Sequence, residues 1–183
     1  MKVYSMRITA AIASISAAAM MSTTLLAGTA VAQTPELDPN FAPELNIRVG
    51  EAPDVCDPAI LQIRTTVNNI EAGGALVVEL YSDDEDNFLS KEARLRRIRI
   101  PALDGPMEVC ISVGETGTYG LASYHDKDAD RKLDRKWNFL PKEPFALSHN
   151  RRLKLRKPRL EDAAFELGED GIDLELNLRT GRG

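Results

Sequence analysis

Histidine and cysteine are scarce in this chain, two of each, and that scarcity closes off several chemistries. His125 and His149 lie beside no cysteine and form no H-x-x-x-H pair, so zinc has no ligand set. Cys56 and Cys110 lack the C-x-x-C spacing of a redox or metal-binding pair. The sequence holds no G-x-S-x-G elbow, no P-loop and no paired glycosidase-like carboxylates. The reading is therefore of a non-enzyme, with a hydrolase built from distant carboxylates as the alternative. An amphipathic helix of useful length is missing too, which directs the search for a fold towards strands.

What is present begins with an address. Lys2 and Arg7 precede an uncharged Ala-, Ser-, Met- and Leu-rich run from Ile8 to Ala32, which ends in Ala30-Val31-Ala32, the small-x-small pattern that signal peptidase cuts after. Residues 1–32 are expected to be removed, leaving a periplasmic or secreted bacterial protein that is not integral to the membrane. A retained anchor is the rival, disfavoured by the weak hydrophobicity of so many Ala, Ser, Thr and Gly residues. Residue 33 is Gln rather than Cys, so no lipid-modified terminus is indicated. Removal takes Lys2 and Arg7 from the 23 basic residues and none of the 28 acidic ones, leaving 21 against 28 and a net charge of −7. Such a balance argues against nucleic-acid binding.

An exported chain meets oxidising conditions, where the only two thiols are expected to pair as a Cys56–Cys110 disulfide. That bond closes a loop of about 54 residues and adds roughly 3–4 kcal/mol in the chain-entropy picture. Ahead of it, Pro35, Pro39, Pro43, Pro53 and Pro58 punctuate a stretch with little apolar periodicity. The segment 33–55 reads as a flexible, Pro-rich arm and 56–180 as the folded domain.

Beyond Cys56 the pattern turns to period two. Leu61, Ile63, Thr65 and Val67 alternate with Gln62, Arg64 and Thr66, as in a strand with one buried face. Ala75 to Tyr81 is more continuously apolar, as in a central strand. Further strands are predicted over 96–100, 107–113, 118–125, 163–167 and 172–178, with Gly- and Pro-containing turns between them. Between strands two and three, 83–86 reads as a solvated tip, Phe88-Leu89 as an apolar anchor and 90–95 as a short helical turn. About seven strands in one domain predict an all-β, two-sheet antiparallel sandwich of immunoglobulin-like or transthyretin-like type. In the 107–113 strand Met107, Val109, Ile111 and Val113 form the inward set, so Cys110 points outward. The arm carrying Cys56 must then lie over that outer face or along the sheet edge.

Asp126, Asp128, Asp130 and Asp134 fall at relative positions 1, 3, 5 and 9, a spacing with which a loop wraps carboxylates around a hard divalent cation such as calcium. Arg131 and Trp137 stand where an EF-hand-like loop has Gly and a bidentate Glu, and five Lys or Arg residues lie among the carboxylates. The competing reading is a tight turn whose Asp side chains accept backbone N–H bonds while exposed ion pairs form around them. Arg151, Arg152, Lys154, Arg156, Lys157 and Arg159 place six basic residues in nine, a patch for an anionic partner or a charged edge that resists strand pairing. Arg94, Arg96, Arg97 and Arg99 form a second basic run. Trp137, Phe139 and Phe145 are either a platform for sugar or anchors of the loop.

Several ordered motifs carry a resemblance: G-x-Y-x-L-A-x-x-H-D at 117–126, K-L-D at 132–134, N-F-L-P-K-E at 138–143, F-x-x-S-x-N at 145–150 and E-D-A-A-F at 161–165. Over roughly 61–178 the chain resembles the bacterial exported family called domain of unknown function 2141. The likeness implies a small β-sandwich, export and no assigned activity. Members usually carry Asn or Gly where this chain has Ala129-Asp130-Arg131. The G-T-Y-G-L segment is also similar to a strand of carboxypeptidase-regulatory and other transthyretin-like modules, which are mostly accessory or binding domains. The expected function is an exported binding or envelope-interaction module working through the 126–150 loops, its partner an envelope component, polysaccharide or protein. A weakly calcium-stabilised structural domain is the alternative.

Overall fold

The computed structural model describes residues 43–136, 140–152 and 156–180; the expected signal segment lies outside them. Among the described residues eight strands make two sheets: β1 Gln62–Asn68, β2 Ala75–Tyr81, β3 Arg94–Pro101, β4 Met107–Ser112, β5 Gly117–Asp126, β6 Phe145–Leu147, β7 Ala164–Leu167 and β8 Ile172–Asn177. One sheet runs β4-β1-β8, and the other runs β3-β2-β5-β6 with β7 also on β5. All pairings are antiparallel except β1 with β8. The all-β two-sheet sandwich is thus as the alternation predicts, with the first and last strands side by side and parallel.

Period-two patterning sets the core. Ile63 faces Ile111 and Ile172, and Val67 faces Met107 and Leu176. These side chains meet Leu76, Val78, Leu80, Ile98, Ile100 and Leu121 from the larger sheet in one buried cluster. Near the start of β5, the Tyr119 hydroxyl donates to the Glu115 carbonyl at 2.9 Å, a tie that pins the incoming loop. The larger sheet is covered on its outer side as well. Val77, Tyr81, Ala122 and Tyr124 pack there against Phe145 and Leu147 of β6 and against Phe88, Leu160 and Ala163 from the connecting segments, which explains why every residue of β2 is buried.

Two expectations need correction. Residues 90–95 form no helical turn; the Ser82 amide donates to the Ala93 carbonyl at 2.9 Å and a bulge at Leu80/Tyr81 carries the β2–β3 pairing on to Arg94, so the ladder takes the backbone groups a helix needs. The three-residue β6 falls in a stretch read as loop, too short to show alternation.

Cys110 does point to the outer face of its sheet, opposite Arg64, yet it is wholly buried. It is bonded to Cys56, and the chain before that cysteine lies along the edge of β4. The Asp54 amide donates to the Cys110 carbonyl at 3.0 Å, while the Asp54 carboxylate accepts from the Ser112 amide at 2.7 Å. A few residues earlier the Glu51 carbonyl accepts from the Arg99 amide on β3 at 2.8 Å. The arm therefore stitches the β4 edge of one sheet to the β3 edge of the other. On the opposite side Phe145 and Arg179 exchange backbone hydrogen bonds, joining β6 to the end of β8. Both seams cover strand edges that would otherwise be open for pairing.

Candidate functional site

Alternation along β2, β3 and β5 aims a polar set at the outer side of the larger sheet. Glu79 sits opposite Arg97 in the register, within a strand otherwise apolar or aromatic. Its Oε1 accepts from Arg94 Nη1 at 2.9 Å and Arg97 Nε at 2.6 Å, and its Oε2 accepts from the Tyr81 hydroxyl at 2.5 Å. Burial, then the charge and hydrogen bond of Glu79, push the Tyr81 phenol well above its ordinary range. Tyr124 is raised likewise, first by burial and then by Glu79. Both phenols stay protonated at neutral pH, and that of Tyr81 donates to Glu79.

Above this set lies a cavity of about 220 Å³. Its walls come from the 89–91 loop, from 131–135 and from Phe145, with Tyr81, Ala122 and Tyr124 below. Among the described residues six cationic side chains line it, Lys91, Arg94, Arg97, Arg131, Lys132 and Arg135, against the single carboxylate of Glu79. Arg131 is held from behind: Glu51 of the arm takes both of its Nη groups, and the Asn46 carbonyl accepts from Nη1. Burial alone would raise Glu51, but hydrogen bonds from Arg131 and the Arg48 amide, with the charge of Arg131, outweigh it and hold the carboxyl below its ordinary value.

Next to the cavity the acidic loop begins at Asp126. Carboxylate oxygens of Asp126, Asp128 and Asp130 gather within 4.8 Å of one another. Asp134 is not among them; it pairs with Lys142 at 3.1 Å. Asp126 Oδ2 accepts from Arg99 Nη1 at 2.5 Å and from the Arg131 amide at 2.9 Å, and both side chains of that ion pair are fully buried. Asp126 Oδ1 and Arg99 Nη2 are buried with no hydrogen-bond partner. Asp128 accepts from the Asp130 amide at 3.3 Å and Asp130 from the Lys132 amide at 2.8 Å, the Asx-turn bonding expected of a tight turn. Ala129 and Arg131 hold left-handed backbone, φ 58° and 73°. Glu143 closes the loop, accepting from the Lys127 amide at 2.8 Å and the Asp134 amide at 3.1 Å. Burial first, then the charges of Asp126 and Asp128, keep its carboxyl above the ordinary value despite those amides.

The 151–159 patch is partly spent on its own neighbours. Arg156 pairs with Asp162 at 2.8 Å and Glu161 at 3.5 Å, and Arg159 reaches Glu161 at 3.8 Å. Arg151, Arg152 and Lys157 are exposed, while Lys154 lies outside the described residues, as do Trp137 and Phe139. Phe145 is buried against the loops, so it anchors them and forms a cavity wall. His125 Nε2 lies 2.6 Å from the Gly73 carbonyl, and His149 Nε2 meets that of Ala164. The basic run at 94–99 splits by direction: Arg94 and Arg97 enter the cavity, Arg96 meets Asp54 of the arm at 3.4 Å, and Arg99 is buried. The cavity was not anticipated from sequence. Its one signal is Glu79, a lone charge inside an otherwise continuous apolar run.

Residues 65–174 match the model of a family described as an uncharacterized protein conserved in bacteria, DUF2141, in accord with the resemblance carried by the motifs. No curated protein and no solved structure matches the chain.

Proposed function

The chain belongs to this bacterial family, DUF2141, and we propose that it is an exported, non-catalytic binding module whose ligand site is the cavity on the outer side of the larger sheet. The cavity itself carries the reading. Concave sites with a few convergent polar groups on a rigid scaffold are where ligands bind, and this one stands on three strands of a two-sheet core. The chemistry of its walls favours binding over turnover. Glu79, the only carboxylate lining it among the described residues, already accepts from two guanidinium groups and a phenol, so it is not free to serve as a general base. The Cys56–Cys110 bond suits an oxidising compartment, and among the described residues no helix is long and apolar enough to cross a membrane.

Native mass spectrometry of the protein lacking residues 1–32, mixed with a pooled small-molecule extract of a bacterial envelope, tests this reading. The expected result is an adduct that is released chemically unchanged. Release of a species with altered mass on repeated turnover, or no adduct at all, would overturn it.

A second reading has its own observation. Asp126, Asp128 and Asp130 converge, and the buried Asp126 Oδ1 has no partner, which favours a weak calcium site that stabilises the loop. Arg99 beside Asp126 opposes a divalent ion there. Calorimetric calcium titration of wild type and of Asp128→Ala/Asp130→Ala decides it; flat traces for both remove the ion.

A further inference from the structure

Resting on the reading of the cavity as a binding site, we infer that its ligand is a small molecule bearing an oxyanion, a carboxylate, phosphate or sulfate group, on a body with one apolar face. The whole chain carries more acid than base, 28 against 23, so six cations around one carboxylate is a local reversal of the protein's own charge. Much of that charge is uncommitted. Among the described residues Lys91 and Arg135 make no ion pair within 4.0 Å, Lys91 having only its exposed neighbour Glu92, and Lys132 has only Asp130 at 3.9 Å, with 80% of its side chain exposed. Arg94 spends only Nη1 on Glu79, leaving most of the five donors of a guanidinium for something else. Arg131 is already fixed by Glu51, so less order remains to be imposed when an anion arrives.

A partly enclosed site strengthens each of these attractions relative to open water. A cationic ligand is repelled, and a neutral one replaces the hydrogen bonds of displaced water without the charge assistance that an oxyanion gains from guanidinium groups. The size is limiting as well. About 220 Å³ is the space of roughly seven water molecules and lies below the usual range for drug-sized ligands. Leu89, Leu133 and Phe145 supply an apolar wall beside the cations, which is why the ligand is expected to be more than a bare ion. An acidic polysaccharide does not fit inside and would have to engage cations on the open surface, such as exposed Arg151 and Arg152.

Calorimetry and thermal shift at constant ionic strength, with citrate, inorganic phosphate and sulfate as probes and glucose and polygalacturonate as contrasts, test the inference. Saturable binding of at least one small anion is expected, weakened about tenfold or more in Lys132→Glu/Arg135→Glu, as reversal of two charges beside an anion requires, and unchanged in Arg151→Glu/Arg152→Glu. Lys132 and Arg135 are exposed, so the first variant should keep the unliganded melting temperature. If an adduct forms in the native mass spectra while all three anions fail to bind, the oxyanion is refuted and the binding site stands. If both fail, both fall. Binding of polygalacturonate alone, or equal loss in the two variants, refutes the small anion in favour of a surface-bound polymer.

Discussion

Arg99 shows how much one side chain can be asked to hold. It is wholly buried, its Nη1 on Asp126 and its Nε on the Leu45 carbonyl of the arm. Replacing it by Met strands the Asp126 carboxylate without its counter-charge, and loss of one partner of a buried pair costs about 3–5 kcal/mol. Urea denaturation of Arg99→Met should show that loss, and Arg99→Met/Asp126→Asn should recover part of it. Glu51 makes a prediction in pH. Its folded carboxyl sits below the ordinary 4.5, so its contribution is complete above that value and is lost as pH falls through the depressed folded value. Glu51→Gln should cost about 1.5–3 kcal/mol at neutral pH, as for hydrogen bonds to a charged group. The difference between variant and wild type should narrow as pH falls below 4.5, as read from denaturation midpoints across an acid series starting at neutral pH.

Among elements, β5 carries the site's architecture. It pairs with β2, β6 and β7, lends Tyr124 to the cavity floor and ends in Asp126. The turn entering β2 depends on its close approach to that end. Gly74 has φ 68°, and a Cβ there would lie 2.4 Å from the Asp126 carbonyl oxygen and 2.8 Å from the Lys127 Cα. Neither contact is a flexible side chain, so Gly74→Ala must displace backbone. A cost of about 2–3 kcal/mol is expected from left-handed strain and overpacking together, with amide hydrogen exchange accelerated at 124–128 and little changed in β1 and β4.

For the molecule as a whole, the arm and its disulfide decide whether the two sheets are closed along the β3–β4 side. Cys56→Ser/Cys110→Ser should keep the far-UV circular dichroism of the sandwich, because the apolar cluster between the sheets includes neither cysteine. Stability should fall by about 2–5 kcal/mol, the usual effect of losing a disulfide from a small domain. Protection should vanish first at the Asp54 and Arg99 amides, which bond across the seam. A variant whose strands unfold together with the arm would show that the seam is integral to the core.

Alternation along β1, β4 and β8 by itself determined that opposed sheets would form and which side chains would meet between them, because a strand's inward and outward sets follow from the backbone's two-residue period. The same period placed Cys110 on an outer face and so required the arm to cross there. Carboxylates at 126, 128 and 130 were legible as a cluster because five residues of one loop can only lie close together. The tertiary structure alone decided the rest: that Asp134 turns to Lys142, that Arg94 and Arg97 share a cavity with Arg131 and Arg135, and that Glu51 stands behind Arg131. Asp134 and Lys142 are only 8 positions apart but meet through a loop return; the other meetings join residues from 34 to 80 positions apart through strand register and loop return, and neither leaves a local mark on sequence beyond a single charged Glu79 where only apolar neighbours were expected.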